Sequence, residues 1–330
     1  MIFKIIFLPI LFGVFFCVIN MKFKRFRLII LLALLGSLSP PLLFNVSSLF
    51  SASPVLAQTS ASRKAEADRL FNQGIGQFQV SQFREALQSW QKAVTIYREG
   101  DRQGEANSLN NLGNAYYSLG DYQKAIEKHQ QSLTIARAIA DRQGEANSLN
   151  NLGNAHYSLG DYQKAIENYQ QSLMIAREIG DRQGEANSVN NLGNAYYSLG
   201  DYQKAIDFQQ QSLMIARAIG DRQGEANSVN NLGNAYYSLG DYQKAIDFQQ
   251  QSLMIARAIG DRQGEANSVN NLGNAYHALG DYRKAIENYQ QSLMIAKAIG
   301  DRQGEAASLG NLGNAYYSLG ESQRQLISSG

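Results

Sequence analysis

From Asp101 onward the chain repeats itself every 40 residues. Blocks open with DRQGEA at 101, 141, 181, 221, 261 and 301, and residues 181–220 and 221–260 are identical at every position. A unit this short cannot enclose a core of its own. It buries its apolar face against the copies before and after it, so a fixed period of this length specifies a solenoid rather than one globular domain. Stability is then a sum of repeat and neighbour terms.

Each block reads as two amphipathic helices. Leu109, Leu112, Gly113, Tyr116 and Leu119 recur at helical spacing and form one apolar stripe. Gly120 stops this helix in the left-handed conformation, and Asp121 caps the next. The second helix places Tyr122, Ala125, Ile126, His129, Leu133 and Ala136 on its buried side, and Asp141 caps the helix that opens the following block. Gly113 costs about 1 kcal/mol against Ala in a helix interior. Its recurrence implies that the paired helix packs too close there for a side chain.

The spacing Leu112-Gly113-x-x-Tyr116 followed by Ala125, with Leu109 as the preceding bulky residue, resembles the tetratricopeptide repeat (TPR). The family's aromatic position holds His129, Tyr169, Gln209, Gln249 and Tyr289, its second Ala is Ser132, and its closing Pro is absent. The 40-residue form is similar to the repeats of kinesin light chains, and the array resembles the N-terminal halves of exported cyanobacterial TPR proteins that carry a CHAT-type protease domain. The resemblance implies an all-α, right-handed TPR superhelical solenoid of antiparallel helix pairs. Residues 65–100 form a divergent first repeat around Asn72-Gln73-Gly74, Ala86, Trp90 and Ala93. Residues 101–300 form five full repeats, and 301–330 a partial seventh.

The polar residues of the first helix, Asn107, Asn110, Asn111, Asn114, Tyr117 and Ser118, form a stripe opposite Leu109, Leu112 and Tyr116. In the TPR fold this side lines a concave groove. Asn111 recurs as Asn151, Asn191, Asn231, Asn271 and Asn311, with Asn72 in the first repeat. The row resembles the asparagine ladder of O-linked N-acetylglucosamine transferase, where amides hold the backbone of an extended peptide. A primary amide offers two donors and an acceptor, so it can pair with both sides of a peptide unit. Two helices per repeat, each about 8–10 Å from the next, space such a ladder at roughly 16–20 Å at most. The same amides could instead bond the neighbouring repeat and hold the solenoid together. The last block accommodates both readings: it keeps Asn311 and Asn314 but has Ala307 and Gly310 at the outer positions. Asn114, Asn154, Asn194, Asn234 and Asn274 share the groove-facing stripe. So do Tyr117, Tyr157, Tyr197 and Tyr237, a row that His277 interrupts. Tyrosines grip a ligand by apolar area and hydrogen bonding together.

Nothing in these residues points to catalysis. The three histidines, His129, His156 and His277, occupy positions where other blocks carry mostly aromatic residues, and none has a partner at metal-ligand spacing. No phosphate-cradling GxxxxGK[ST] loop occurs. Carboxylates such as Glu105, Asp121 and Glu127 recur as caps and solvated faces. No catalytic group, cofactor or metal is expected, and the near balance of 30 basic and 28 acidic residues gives no pull toward nucleic acid. The partner expected is a protein or peptide segment.

The first 57 residues hold five basic residues and no acidic one. MKFKRFR, then LIILLALLG, then a Ser/Pro-rich stretch ending in VLA reads as a secretory signal peptide cleaved after Ala57, with Met21 as an alternative start and 58–64 as a short linker. Export to a periplasmic or extracellular space follows. The alternative is a membrane anchor formed by the uncleaved segment. The lone Cys17 permits no disulfide within the chain. At the other end, ESQRQLISSG stands where a second helix such as DYQKAIENYQ is due. This leaves the apolar side of 305–319 partly uncovered, open to self-association or to a longer chain of which this is the recognition arm.

Overall fold

A computed structural model describes residues 54–328, with side chains from Thr59 to Arg324. Among the described residues there are thirteen α-helices and no strand. They are α1 (Pro54–Gln79), α2 (Phe83–Tyr97), α3 (Arg102–Ser118), α4 (Tyr122–Ala138), α5 (Arg142–Ser158), α6 (Tyr162–Glu178), α7 (Arg182–Ser198), α8 (Tyr202–Ile219), α9 (Arg222–Ser238), α10 (Tyr242–Ile259), α11 (Arg262–Ala278), α12 (Tyr282–Ile299) and α13 (Arg302–Ser328). The packing described below belongs to the unit Ala61–Gly330. Of the other unit, Met1–Ser60, only the residues from Pro54 are described, as helix. The expected signal segment up to residue 53, with Cys17, lies outside the described residues. The expected cleavage point after Ala57 and the linker 58–64 fall within α1. No described helix is long and apolar enough to cross a membrane.

The turns follow from their residues. Gly120 and its counterparts adopt φ near +80°, which L side chains rarely take, and so end each first helix. Asp121 then accepts a hydrogen bond from the backbone of Lys124 at 3.2 Å, and Asp141 from Gly144 at 2.9 Å, satisfying helix N-termini that would otherwise be orphaned. Block ends use Gly180, Gly220, Gly260 and Gly300 in the same left-handed conformation, whereas Ala140 holds φ 58° with a side chain attached.

The core is built between neighbours. Ala165, Ile166, Tyr169 and Leu173 of α6 meet Ala186, Val189, Leu192 and Ala195 of α7 and Ile215 of α8 in one cluster. Three further clusters likewise span three successive helices, and the others join two neighbours, which is why no repeat can stand alone. Gly113-type residues sit where the second helix presses closest. A Cβ on Gly113 would collide with the His129 ring, on Gly153 with Tyr169, and on Gly193 with the Gln209 amide. Leu119, expected on the apolar stripe, is 41% exposed: it sits past the last helical turn, where the chain leaves the core.

A buried carboxylate ties each second helix to the next block. Glu145 receives Arg137 from α4 at 2.8 Å and Arg142 from its own helix at 2.6 Å, and Glu185, Glu225 and Glu265 repeat the arrangement. Glu305 has only Arg302, because Lys297 replaces the second arginine. At the C-terminal end Gly320 does not take the left-handed conformation of its counterparts, and α13 runs on to Ser328 in place of a turn and a second helix. Leu309, Tyr316 and Tyr317 are consequently more than half exposed.

Candidate functional site

First helices line the inner face. From α3 onward each first helix touches the first helix of the next block, while no comparable contact joins successive second helices. The side carrying the first helices is therefore the shorter, concave side. The ladder spacing therefore falls well inside its expected upper limit. The second helix sits behind the wall rather than between its rungs, so successive first helices pack directly, about 8–10 Å apart. That step is roughly three residues of extended chain at ~3.3 Å each.

The asparagines form a bonded lattice. Asn151 donates through Nδ2 to Asn110 Oδ1 of the preceding block at 3.1 Å. Asn191 donates to Asn150 at 3.0 Å and to Asn154 at 3.4 Å, and Asn231 to Asn190 and Asn194 at 3.2 and 2.9 Å. Asn271 donates to Asn230 and Asn234 at 3.2 and 3.0 Å, and Asn311 to Asn270 and Asn274 at 3.1 and 3.4 Å. From Asn154 to Asn274, the Asn114-type oxygens also accept from the aromatic-position residue of their own block. Tyr169 donates to Asn154 at 2.8 Å, Gln209 to Asn194 at 2.9 Å, Gln249 to Asn234 at 2.9 Å and Tyr289 to Asn274 at 2.8 Å.

The consequence is a division of labour between two rows. From Asn191 to Asn311, each Asn111-type residue has spent its amide N–H groups on the preceding block and keeps a free Oδ1 acceptor. From Asn154 to Asn274, each Asn114-type residue has spent its oxygen and keeps its N–H donors. All are half-buried on the inner face. The N-terminal end is different. Asn72 is exposed and outside the lattice, and the first block presents Phe71 and Ile75 where later blocks have Asn110 and Asn114. Asn111 and Asn114 consequently make no side-chain hydrogen bond among the described residues. His129, shorter than tyrosine, reaches Asn110 Oδ1 at 2.8 Å instead of Asn114.

The tyrosine row is also stapled. Tyr117, Tyr157 and Tyr197 bond Ser158, Ser198 and Ser238 of the next block at 2.9, 2.8 and 3.0 Å, and His277 bonds Ser318 at 3.2 Å. Each ring packs at a tilt against the tyrosine opening its own second helix, as Tyr197 does on Tyr202 with centroids 5.4 Å apart. The ring faces remain accessible, Tyr197 being 38% exposed. Burial pushes the hydroxyls of Tyr169 and Tyr237 up from the ordinary tyrosine range and that of Tyr289 up to about 12, so these groups stay neutral near pH 7. The sequence placed Asn110-type residues and the Ser118 row, to which Ser158 belongs, on the polar stripe without assigning them a partner. Their recurrence was visible, broken in the serine row only by Ala278, but recurrence alone does not say which neighbour a side chain reaches. Among the described residues no group of three or more His, Cys, Asp or Glu could hold a metal ion.

An all-α array of stacked helix pairs with a polar inner wall is the architecture of a repeat protein of the helical-hairpin class. The tetratricopeptide repeat family model matches residues 63–138, 144–218, 184–258, 224–298 and 264–324, and the chain belongs to that family. No curated protein sequence matches the chain. Among solved structures it is similar to a signal-transduction ATPase with a tetratricopeptide repeat sensor from Pyrococcus horikoshii, at 21% identity and TM-score 0.66 over 78% of this chain. The chain spans only 41% of that protein. It is also similar to a Rap protein complexed with Competence and Sporulation Factor, at 17% identity and TM-score 0.56 over 84% of this chain and 83% of the other. Kinesin-light-chain TPR-like repeats from Podospora anserina align at 21% identity and TM-score 0.52 over 60% of this chain and 98% of theirs. These likenesses bear on the fold.

Proposed function

We propose that the array is a non-catalytic interaction scaffold that binds an extended peptide or protein segment along its inner face. One observation carries this reading: the bonded lattice leaves each interior step with an acceptor on one row and donors on the other. A peptide unit brings one N–H and one C=O, so Asn271 Oδ1 can accept the first while the Asn274 amide donates to the second. Such contacts read backbone rather than side chains, which favours broad recognition. The Rap structure gives a relative of this fold bound to a named factor.

The test separates lattice from ligand. Replacing Asn154, Asn194, Asn234 and Asn274 together by Asp keeps the oxygen that Tyr169, Gln209, Gln249, Tyr289 and the next block's amide bond, and exchanges the free donors for a second acceptor oxygen and a negative charge at each step. Thermal melts should move by a few degrees at most, while affinity for an extended peptide falls at least tenfold. Unchanged affinity would sink the reading.

A second reading makes the array the recognition arm of a longer enzyme, of CHAT-protease or another type. It is supported by the repeat-sensor ATPase, of which the chain spans less than half. The exposed Leu309 and Tyr317 on α13 are where a further helix pair or a second copy would pack; light scattering over a concentration series distinguishes the two. We also propose that the array works outside the cytoplasm. N-terminal sequencing of the fractionated protein should then begin at Gln58; an intact N-terminus in a cytoplasmic fraction contradicts it.

A further inference from the structure

A cavity of about 260 Å³ opens on the inner face between α9, α10 and α11, lined by Tyr197, Asn234, Tyr237, Gln249, Asn271 and Asn274 with two small residues. Two departures from the repeat pattern coincide here. Gln249 stands where Tyr169 and Tyr289 lay a ring over the glycine of the paired helix, over Gly153 and Gly273. Ala278 stands where Ser158, Ser198 and Ser238 hold the tyrosine hydroxyl of the preceding block, so the Tyr237 hydroxyl has no hydrogen-bond partner. Block 181–220 shares the glutamine, as Gln209, but its Tyr197 is held by Ser238.

The unspent valences of the lining define what it can hold. Asn234 Oδ1 accepts from Gln249 and Asn271, and Asn274 Oδ1 accepts from Tyr289 and Asn311, so both residues offer only N–H donors. Asn271 has given its N–H groups to Asn230 and Asn234 and offers only Oδ1. Gln249 spends its amide nitrogen on Asn230 O and Asn234 Oδ1 and keeps Oε1, a buried acceptor without a hydrogen-bond partner. Tyr237 can donate or accept. No charged side chain lines the cavity. A carboxylate would meet Asn271 Oδ1 with a lone pair against a lone pair. An ammonium would face two sets of donors, and an apolar group would strand all of them, each at the cost of a buried unmade bond.

A primary carboxamide matches both kinds of group: its oxygen accepts from Asn234 and Asn274, and its nitrogen donates to Asn271 Oδ1 and to the Tyr237 oxygen, with Gln249 Oε1 as a further acceptor on the same wall. We propose that this cavity is a specificity subsite that takes the glutamine or asparagine side chain of a segment lying in the groove. It rests on the peptide-binding reading above and adds a side-chain preference to it.

The probes are fluorescein-labelled Ser/Thr-based 12-mers carrying one central Gln, Glu, Leu or Ala, titrated by anisotropy against the full chain. The Gln peptide should bind about tenfold more tightly than the Ala and Glu peptides, the worth of roughly one to two net hydrogen bonds. Gln249→Tyr, which refills the space as Tyr169 does, and Ala278→Ser, which holds Tyr237 as in other blocks, should each cut that preference to twofold or less. Binding of the Ala peptide should stay unchanged. Both substitutions copy residues that other blocks already pack. Equal affinities for the Gln and Ala peptides, or a preference surviving both variants, would overturn the subsite and leave the groove standing. Failure of every peptide to bind would overturn both.

Discussion

At the scale of single residues, identical letters do different work according to which atoms their neighbours have used. The recurring asparagines were legible in the sequence as a polar stripe, and so was their double potential as a peptide-holding ladder or as bonds to the neighbouring repeat. What the sequence did not carry is that each amide is half spent, because that depends on where the preceding helix places its oxygens. The glycines were more fully legible: a helix-interior glycine in every block implies close approach, and the ring of Tyr169 against Gly153 supplies it. Gly153→Ala should therefore destabilise the array by roughly 1–3 kcal/mol through overpacking. Gly313→Ala, where a Cβ meets nothing within 4 Å, should be neutral or gain up to about 1 kcal/mol of helix propensity; chemical denaturation of the two variants checks the contrast. His129 provides a second test. Its ring is fully buried, Nε2 has no partner, and burial holds its pKa down to about 3. The folded chain thus refuses a proton that the unfolded chain accepts below about pH 6.5. Stability present above that pH is lost as pH falls toward 3, by up to about 1.4 kcal/mol per pH unit. His129→Gln, the residue other blocks carry there, should flatten the acid limb of a denaturation series between pH 7 and 4. Parallel pH profiles for the two proteins would contradict this.

At the scale of elements, helix boundaries followed their caps: Asp121 and Asp141 start helices and Gly120 stops one, as the sequence implied. The misreading at Leu119 has a physical reason. Leu119 was placed in the core by periodicity, but periodicity does not register that the helix has already ended. At 320 the same glycine that stops other helices is passed through, because Glu321 and Ser322 replace the Asp-Tyr pair that opens a second helix. Glycine permits a stop; the next helix's cap and packing residue make it favourable. Ala140 shows the reverse case, a left-handed position forced on a residue with a Cβ, at a cost of about 1 kcal/mol. Ala140→Gly should raise stability by about that amount, detectable as slower hydrogen exchange at the junction of α4 and α5. Faster exchange there would show that the loop's unfolded-state entropy outweighs the relief of strain.

At the scale of the whole array, the 40-residue period was enough to give the solenoid and its family, because repetition constrains packing partners without any knowledge of distances. It was not enough to give the pitch of the inner wall, which depends on the second helix lying behind the first. Nor did it reveal that Tyr237 is the one tyrosine of its row from 117 to 237 whose hydroxyl is left unheld, since that follows from a single alanine 41 residues away. The proposed scaffold holds its ligand on the inner wall and not on the outer helices, where Met174, Met214, Met254 and Met294 form an exposed row of their own. The most direct measurement places a photo-crosslinking benzoylphenylalanine at position 197 in one protein and at position 214 in another. Each is then irradiated with the same pool of biotinylated extended 12-mers. Capture at 197 with little at 214 is the predicted result. Equal capture at both positions, or capture at 214 alone, would contradict it.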